Sequence, residues 1–376
     1  MQKAMDTNGR NHEAITGAQW LREKKVKDIM LEKRRLVEVP YTASLAHTLN
    51  ALVANRVVAV PVAAPPGHWI GAGGSMIMQS DKNTGAVRKH YIGMVTMLDI
   101  LAHIADQLSD SINGDELDLD KRMSVPVSSI IGHCLEGLSL WTLNPYTSFV
   151  DCMEVFSKGI HRALVPVEGH TENISGVELA ESASSYRMLT QMDILRFLRA
   201  HTAQAQGILS RSVGEMGAVP EYVFGVTSHT KVMDAIKCMR TAALHAVPIV
   251  EASEDPQEDH RQLINGKGRK LIGTFSATDL RECPISLLQS WLCIDVMEFT
   301  ENVSTWTVSA SGELGHSPRE LVTCHPEKSL GEVIEKAVNG QVHRVWVVDK
   351  QGLLVGIVSL TDILRMIRVS LSSFRS

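Results

Sequence analysis

One hydroxyl–carboxylate pair recurs along this chain at a fixed spacing. Four segments end a short apolar run in Thr or Ser and place Asp three residues later, at a predicted helix start. They are HYIGMVTMLDIL (Thr96, Asp99), SYRMLTQMDIL (Thr190, Asp193), KLIGTFSATDL (Ser276, Asp279) and LLVGIVSLTDIL (Ser359, Asp362). Read as local chemistry, such a pair caps a helix: its oxygens take up main-chain N–H groups and the negative charge suits the helix dipole, worth ~1 kcal/mol. Capping alone accounts for all four copies. Two basic pairs, His161-Arg162 and His343-Arg344, lie beside predicted buried strands at equivalent places in the second and fourth copies. A single His-Arg dipeptide is an ordinary solvated pair, and the repetition is what singles these out.

The elements around the carboxylates repeat too. Asp99, Asp193, Asp279 and Asp362 follow one another at long and nearly even intervals, a period that indicates small domains in series and not a solenoid of short repeats. Upstream of each lies a capped amphipathic helix. Ser329 and Glu332 form an S-x-x-E capping box, followed by Leu330, Val333, Ile334 and Ala337 at helical spacing. Ser148, Thr230 and Ser44 are the caps expected for the second, third and first copies. A β-branched strand follows in each: VVAVPV (57–62), ALVPV (163–167), HAVPIV (245–250) and VWVVD (345–349). Pro61, Pro166 and Pro248 point to strand edges or ends. Each copy thus reads strand–helix–strand–strand–helix, an α/β unit. The predicted organisation is an unstructured lead-in over 1–20 and repeats over 21–107, 125–201, 208–284 and 290–369. Linkers are expected at 109–122, 201–212 and 283–293, and mobile loops at 71–89 and 251–269.

Composition removes several function classes. A formal net charge of −5 lacks the basic footprint of a nucleic-acid binder. No apolar run approaches the ~18–20 residues of a membrane span, and the N-terminus has no signal-type apolar core, so a cytoplasmic protein, with the nucleus as a second compartment, is expected. Six cysteines without C-x-x-C spacing read as neither a disulfide framework nor a zinc site. The Gly-rich GAGGSMIM (71–78) lacks the P-loop spacing. H-R-D, D-F-G, H-E-x-x-H and G-x-S-x-G are missing as well. No catalytic residue, metal ligand set or cofactor is expected.

The order of elements, the V-x-G-[IM]-[VL]-[ST]-x-x-D signature and its four copies resemble the gamma subunit of AMP-activated and sucrose-non-fermenting-related protein kinases, built from four cystathionine-β-synthase (CBS) repeats. The likeness covers residues 26–368, is tightest over VHRVWVVDKQGLLVGIVSLTDIL (342–364), and in the first repeat looks most similar to the plant gamma-like branch. The resemblance implies two Bateman modules in a disc, AMP, ADP or ATP as ligands, and a heterotrimer with a catalytic alpha-type and a scaffolding beta-type subunit. It implies ribose contacts at Asp99, Asp193, Asp279 and Asp362, since two carboxylate oxygens can accept a diol's two donors. It implies phosphate contacts at His161, Arg162, His343 and Arg344, where the Arg fork suits a dianion. Thr96, Thr190, Ser276, Ser359 and His245 are further candidate contacts. In the first repeat Val58 stands where the family commonly has a phosphate-binding Arg. Arg56, on the same face if the strand extends that far, is a candidate substitute. Two other readings share these residues: a free-standing CBS sensor of adenosyl ligands that regulates another enzyme, and an adaptor that binds no ligand.

Overall fold

The computed structural model describes residues 17, 19–30, 33–64, 91–110, 119–134, 137, 140–166, 186–279, 285–311 and 321–373. Each repeat opens on a short strand: β1 (Val39–Pro40), β4 (Trp141–Thr142), β7 (Phe224–Thr227) and β11 (Thr323–Cys324). Four amphipathic helices follow, Leu45–Ala54, Phe149–Ser157, Val232–Thr241 and Leu330–Asn339. The chain then forms an antiparallel pair: β2 (Ala59–Ala63) with β3 (Tyr91–Thr96), β5 (Arg162–Pro166) with β6 (Tyr186–Thr190), β8 (Ala246–Val250) with β10 (Leu271–Ser276), and β12 (Arg344–Val348) with β13 (Leu354–Ser359). The opening strand pairs parallel to the first of these on its other side, as a helical crossover requires.

The helix starts follow the capping chemistry. Ser44, Ser148 and Ser329 hydroxyls accept N–H bonds from His47, Asp151 and Glu332, and Glu332 closes the box onto the Ser329 N–H at 2.9 Å. The third repeat departs from expectation. Its cap is Lys231, while the Thr230 hydroxyl, fully buried, accepts the Thr227 N–H at 3.1 Å and so ties the strand end instead. Pro166 ends β5 as expected, and the other two prolines depart. Pro61 and Pro248 sit mid-strand in central strands, opposite Met94 and Thr274. They are tolerated because pairing with the parallel neighbour starts one residue later, at Val62 and Ile249, so each proline's missing N–H leaves no ladder bond unmade.

Two apolar cores form, and sequence neighbours do not share one. Phe149, Phe156, Leu195 and Leu198 of the second repeat join Leu330, Ile334, Ile363 and Ile367 of the fourth. Leu45, Leu52, Ile100 and Ile104 of the first join Ile236, Met239, Val247 and Phe275 of the third. The compact units are 1–36, 141–223 and 322–376 on one side, and 37–140 with 224–321 on the other.

A short segment ahead of each repeat explains the remainder of that division, because each such leader docks on another repeat. Val26 N–H donates to Thr147 O and Phe149 N–H to Lys24 O, so the leader of repeat 1 seals the helix start of repeat 2. Val127 and Leu45 exchange the matching bonds with Ala43 and Val125, returning the leader of repeat 2 to repeat 1. Val213 and Leu330 do so with Lys328 and Arg211, and Val296 and Val232 with Thr230 and Ile294. Spatial boundaries therefore differ from the sequence boundaries at both 21–36 and 125–140. The signature glycine is the place a leader passes. A Cβ on Gly356 would lie 2.2 Å from Ala218 O, and one on Gly93 2.6 Å from an Ile131 methyl carbon, so only glycine admits the chain there.

Other expectations change as well. The lead-in to residue 20 is ordered at its end, where Trp20 stacks on Phe197 at 5.6 Å and a helix covers 19–23. The expected linkers at 201–212 and 283–293 carry helices Thr202–Leu209 and Ile285–Trp291, whose Ile208 and Leu288 are buried. The 251–269 loop is built rather than mobile: its β9 (Ile264–Asn265) pairs with β7, and Arg269 bonds both Glu258 and Glu251 O. The 71–89 loop and most of 109–122 lie outside the described residues.

Candidate functional site

In every repeat the strand that ends in Thr or Ser delivers that residue to the start of a turn or helix, and the Asp folds back on it. Asp99 Oδ2 accepts the Thr96 N–H (2.8 Å) and hydroxyl (2.6 Å). Asp193 does the same with Thr190 (2.8 and 2.7 Å) and Asp362 with Ser359 (3.0 and 2.6 Å). Asp279 Oδ2 accepts the Ser276 N–H at 2.7 Å. Capping thus claims one carboxylate oxygen four times over. In Asp99, Asp193 and Asp362 the two capping donors take up Oδ2, so Oδ1 is the oxygen left for another partner.

What meets the rest of each carboxylate differs. Asp99 is fully buried and its Oδ1 accepts the Cys134 N–H at 2.7 Å. Burial pushes its pKa up, against the opposing bonds from Thr96 and Cys134. Asp279 is also buried, at 5% exposure. Asp99 thus acts in this structure as an interior cap with bonds on both oxygens, and Asp279 caps Ser276 from a similarly buried position. Asp193 is reached by Lys33 Nζ at 2.7 Å, with Arg196 at 3.8 Å. Asp362 pairs with Arg365 of its own helix at 2.9 Å and keeps 29% of its side chain exposed.

The basic pairs are brought to these carboxylates by register. Arg162 stands directly across the strands from Thr190, and Arg344 from Ser359. His161 O and His343 O accept the N–H of Gln191 and Leu360, the residues just after the hydroxyls. Segments well separated in sequence thus meet at one sheet end, His161 with Gln191 and His343 with Leu360. His245 is equivalent to His161 and His343, its carbonyl taking the Ala277 N–H; so is Val58, which takes the Met97 N–H. The Arg position itself is Ala59 in repeat 1 and Ala246 in repeat 3, opposite Thr96 and Ser276. Val58 therefore replaces the His and not the Arg. Arg56 is not a substitute by strand alternation, because it precedes the strand in a left-handed turn (φ 51°) at the end of the helix. Among the described residues no three His, Cys, Asp or Glu side chains gather as a metal site.

These features match known proteins. The CBS domain profile matches residues 316–369. The chain is 60% identical over 350 residues to the Arabidopsis thaliana SNF1-related protein kinase regulatory subunit gamma-like PV42a, spanning 92% of this chain and 95% of that one. It belongs to the SNF1-related kinase regulatory gamma-like family. Another gamma-like relative, Arabidopsis PV42b, is 55% identical across 93% of this chain and 96% of its own. A Methanocaldococcus jannaschii protein, proposed as an archaeal homologue of g-AMPK, shares the fold with a TM-score of 0.56 at 18% identity, over 91% of this chain and 99% of that one. This gamma-like chain therefore has the CBS fold and is a regulatory subunit, not a catalytic one. No helix among its described residues is long and apolar enough to cross a membrane.

Sequence reasoning passed over Lys33, Arg187 and Cys134 of the gamma-like chain. Nothing local marks them. They matter because the exchanged leaders carry Lys33 and Cys134 to the carboxylates of repeats other than their own.

Proposed function

We propose that this gamma-like subunit senses adenine nucleotide through its fourth repeat and transmits occupancy to a catalytic alpha-type and a scaffolding beta-type partner in a cytoplasmic or nuclear kinase complex. The observation that carries the reading is the placement of Arg344 across from Ser359, one helix turn from the half-open Asp362. An Arg fork beside a carboxylate matches a ligand with phosphate at one end and hydroxyls at the other. In this reading Asp362 Oδ1 receives a ribose hydroxyl in exchange for Arg365. The pair of His161 and Arg162 supplies the same phosphate chemistry beside Asp193. Asp99 and Asp279 remain caps. Regulation through such a site is as large as the nucleotide's differential affinity for the two states of the complex.

Calorimetry with AMP, ADP and ATP tests it. Arg344→Ala is expected to weaken nucleotide by ~1.5–3 kcal/mol and leave adenosine unaffected. Asp362→Asn should weaken both alike. Wild-type affinity in both variants would remove the fourth repeat as the site. Co-purification of alpha- and beta-type kinase subunits tests the partners. A chain that binds adenosyl ligands yet captures neither subunit would instead be a free-standing sensor.

A further inference from the structure

Asp362 commits Oδ2 to the Ser359 cap, which gives it two bonds. The other oxygen already has a partner. Arg365, one helix turn on, reaches Oδ1 with Nη1 at 2.9 Å. A pair at this spacing is commonplace on a helix surface, but three observations set this one apart. It takes the oxygen that the fourth repeat would offer to a ribose. The guanidinium is also anchored at its far end, where Nη2 donates to Ser157 O at 3.4 Å. Ser157 is the last residue of the helix Phe149–Ser157 in repeat 2, a position where carbonyls lack helical partners and the dipole favours a cation. Three residues further, Arg368 pairs with Glu154 of that same helix at 3.1 Å. Finally, the arginine recurs together with the His-Arg pairs. D-I-L-R stands in repeats 2 and 4, as Asp193–Arg196 and Asp362–Arg365, whereas the third residue after the Asp is Ala102 in repeat 1 and Glu282 in repeat 3. Arg196 lies 3.8 Å from Asp193 Oδ1, a looser form of the same contact.

We propose that Arg365 is a built-in competitor for the ribose diol at the fourth repeat, steadied on Asp362 by the helix end of repeat 2. This rests on the nucleotide reading of that repeat and adds how its affinity is set. Oδ1 can accept two donors, and Arg365 is one of them. A ribose brings two hydroxyls, so both reach this oxygen only when the guanidinium withdraws. The competitor belongs to the same helix, which keeps its effective concentration high. Arg365 is 55% exposed and Asp362 29%, so solvent screens the pair and the competition is modest.

The test is calorimetry of the full chain with AMP and with 2′-deoxyAMP. The second ligand carries the same phosphate, which controls for the lost charge, and offers one hydroxyl fewer. Arg365→Met and Arg365→Gln both remove the guanidinium, and thermal melting confirms that they fold. In both variants the preference for AMP over 2′-deoxyAMP is expected to rise by roughly two- to fivefold, the worth of an exposed ion pair. Adding Asp362→Asn should erase that gain. The Ser359 donors would hold the amide oxygen and leave a nitrogen, itself a donor, at the contested position. A merely structural ion pair would lower the melting temperature and leave the preference where it was. An unchanged preference in both variants overturns the inference. A lower preference overturns it too, because Arg365 would then assist the ribose and not compete with it. If Arg344→Ala weakens AMP while the Arg365 variants match wild type, only this inference falls. If no variant binds AMP at all, the nucleotide reading falls and takes this inference with it.

Discussion

Asp99 and Asp193 share a motif and a cap, yet their surroundings assign them different work. Asp99 has one oxygen facing the Thr96 donors and the other facing the Cys134 N–H. Asparagine can satisfy only one side, since its amide would meet the opposing donors with a donor of its own. Asp99→Asn is therefore expected to cost about 1–3 kcal/mol of stability, read as a lower midpoint in urea denaturation. A second residue-scale prediction concerns His103. Its Nε2 is buried with no hydrogen-bond partner among the described residues, and its ring meets His133 edge-on at 5.8 Å. Burial, then the charges of His133 and Arg122, hold its pKa below the ordinary 6.5. The unfolded chain therefore takes up this proton first. Its contribution to stability is fully present above about pH 6.5 and is lost as pH falls from there towards the lower folded pKa. The slope of unfolding midpoint against pH between 7 and 5 should flatten in His103→Leu. The motif's capping role was legible in the sequence. Which carboxylates stay open was not, because burial of Asp99 depends on Cys134, 35 residues away.

At the scale of elements, one device ends all four amphipathic helices. Arg56 (φ 51°), Gly159 (φ 92°), Ala243 (φ 52°) and Gln341 (φ 50°) each hold the left-handed position after the helix. Val57, Leu244 and Val342 then reach back to Leu52, Met239 and Ala337, five residues earlier. Only the second repeat has the residue suited to it. Gln341→Gly is expected to raise stability by ~0.5–1 kcal/mol and Gly159→Ala to lower it by a similar amount, both visible as opposite shifts in melting temperature. The Ser329–Glu332 box offers a further check. Glu332 is held down to about 2 by Lys328 first and then Ser329. Ser329→Ala removes a helix cap and should cost about 1 kcal/mol. Capped starts were readable because they depend on residues three apart. The misassigned Thr230 shows the limit: a hydroxyl at a cap position can bond the strand before it instead.

For the whole molecule, the exchanged leaders make a prediction that sequence order would reverse. Deleting residues 1–36 removes Trp20, Leu21 and Val26 from the core shared by repeats 2 and 4. Hydrogen exchange should accelerate in the helix Phe149–Ser157, far downstream of the deletion, while Leu45–Ala54, the next helix in the chain, keeps its protection. The reverse pattern would show that the leader belongs to repeat 1.

Period, strand and helix order, capping residues and the pairing of hydroxyl with carboxylate follow from the sequence alone. Each depends on residues within one turn or one strand, where covalent geometry and alternation set the outcome. The alliance of repeat 2 with repeat 4 and of repeat 1 with repeat 3 came only with the tertiary structure, as did the docking of each leader on a repeat other than its own. Apolar faces carry no address: the stripe that begins at Phe149 would bury against any complementary surface, and packing chooses a partner as remote in the chain as Ile334. The same distance separates motif from function. Four near-identical carboxylates were written into the chain, and long-range contacts and burial left Asp362 the most exposed of them.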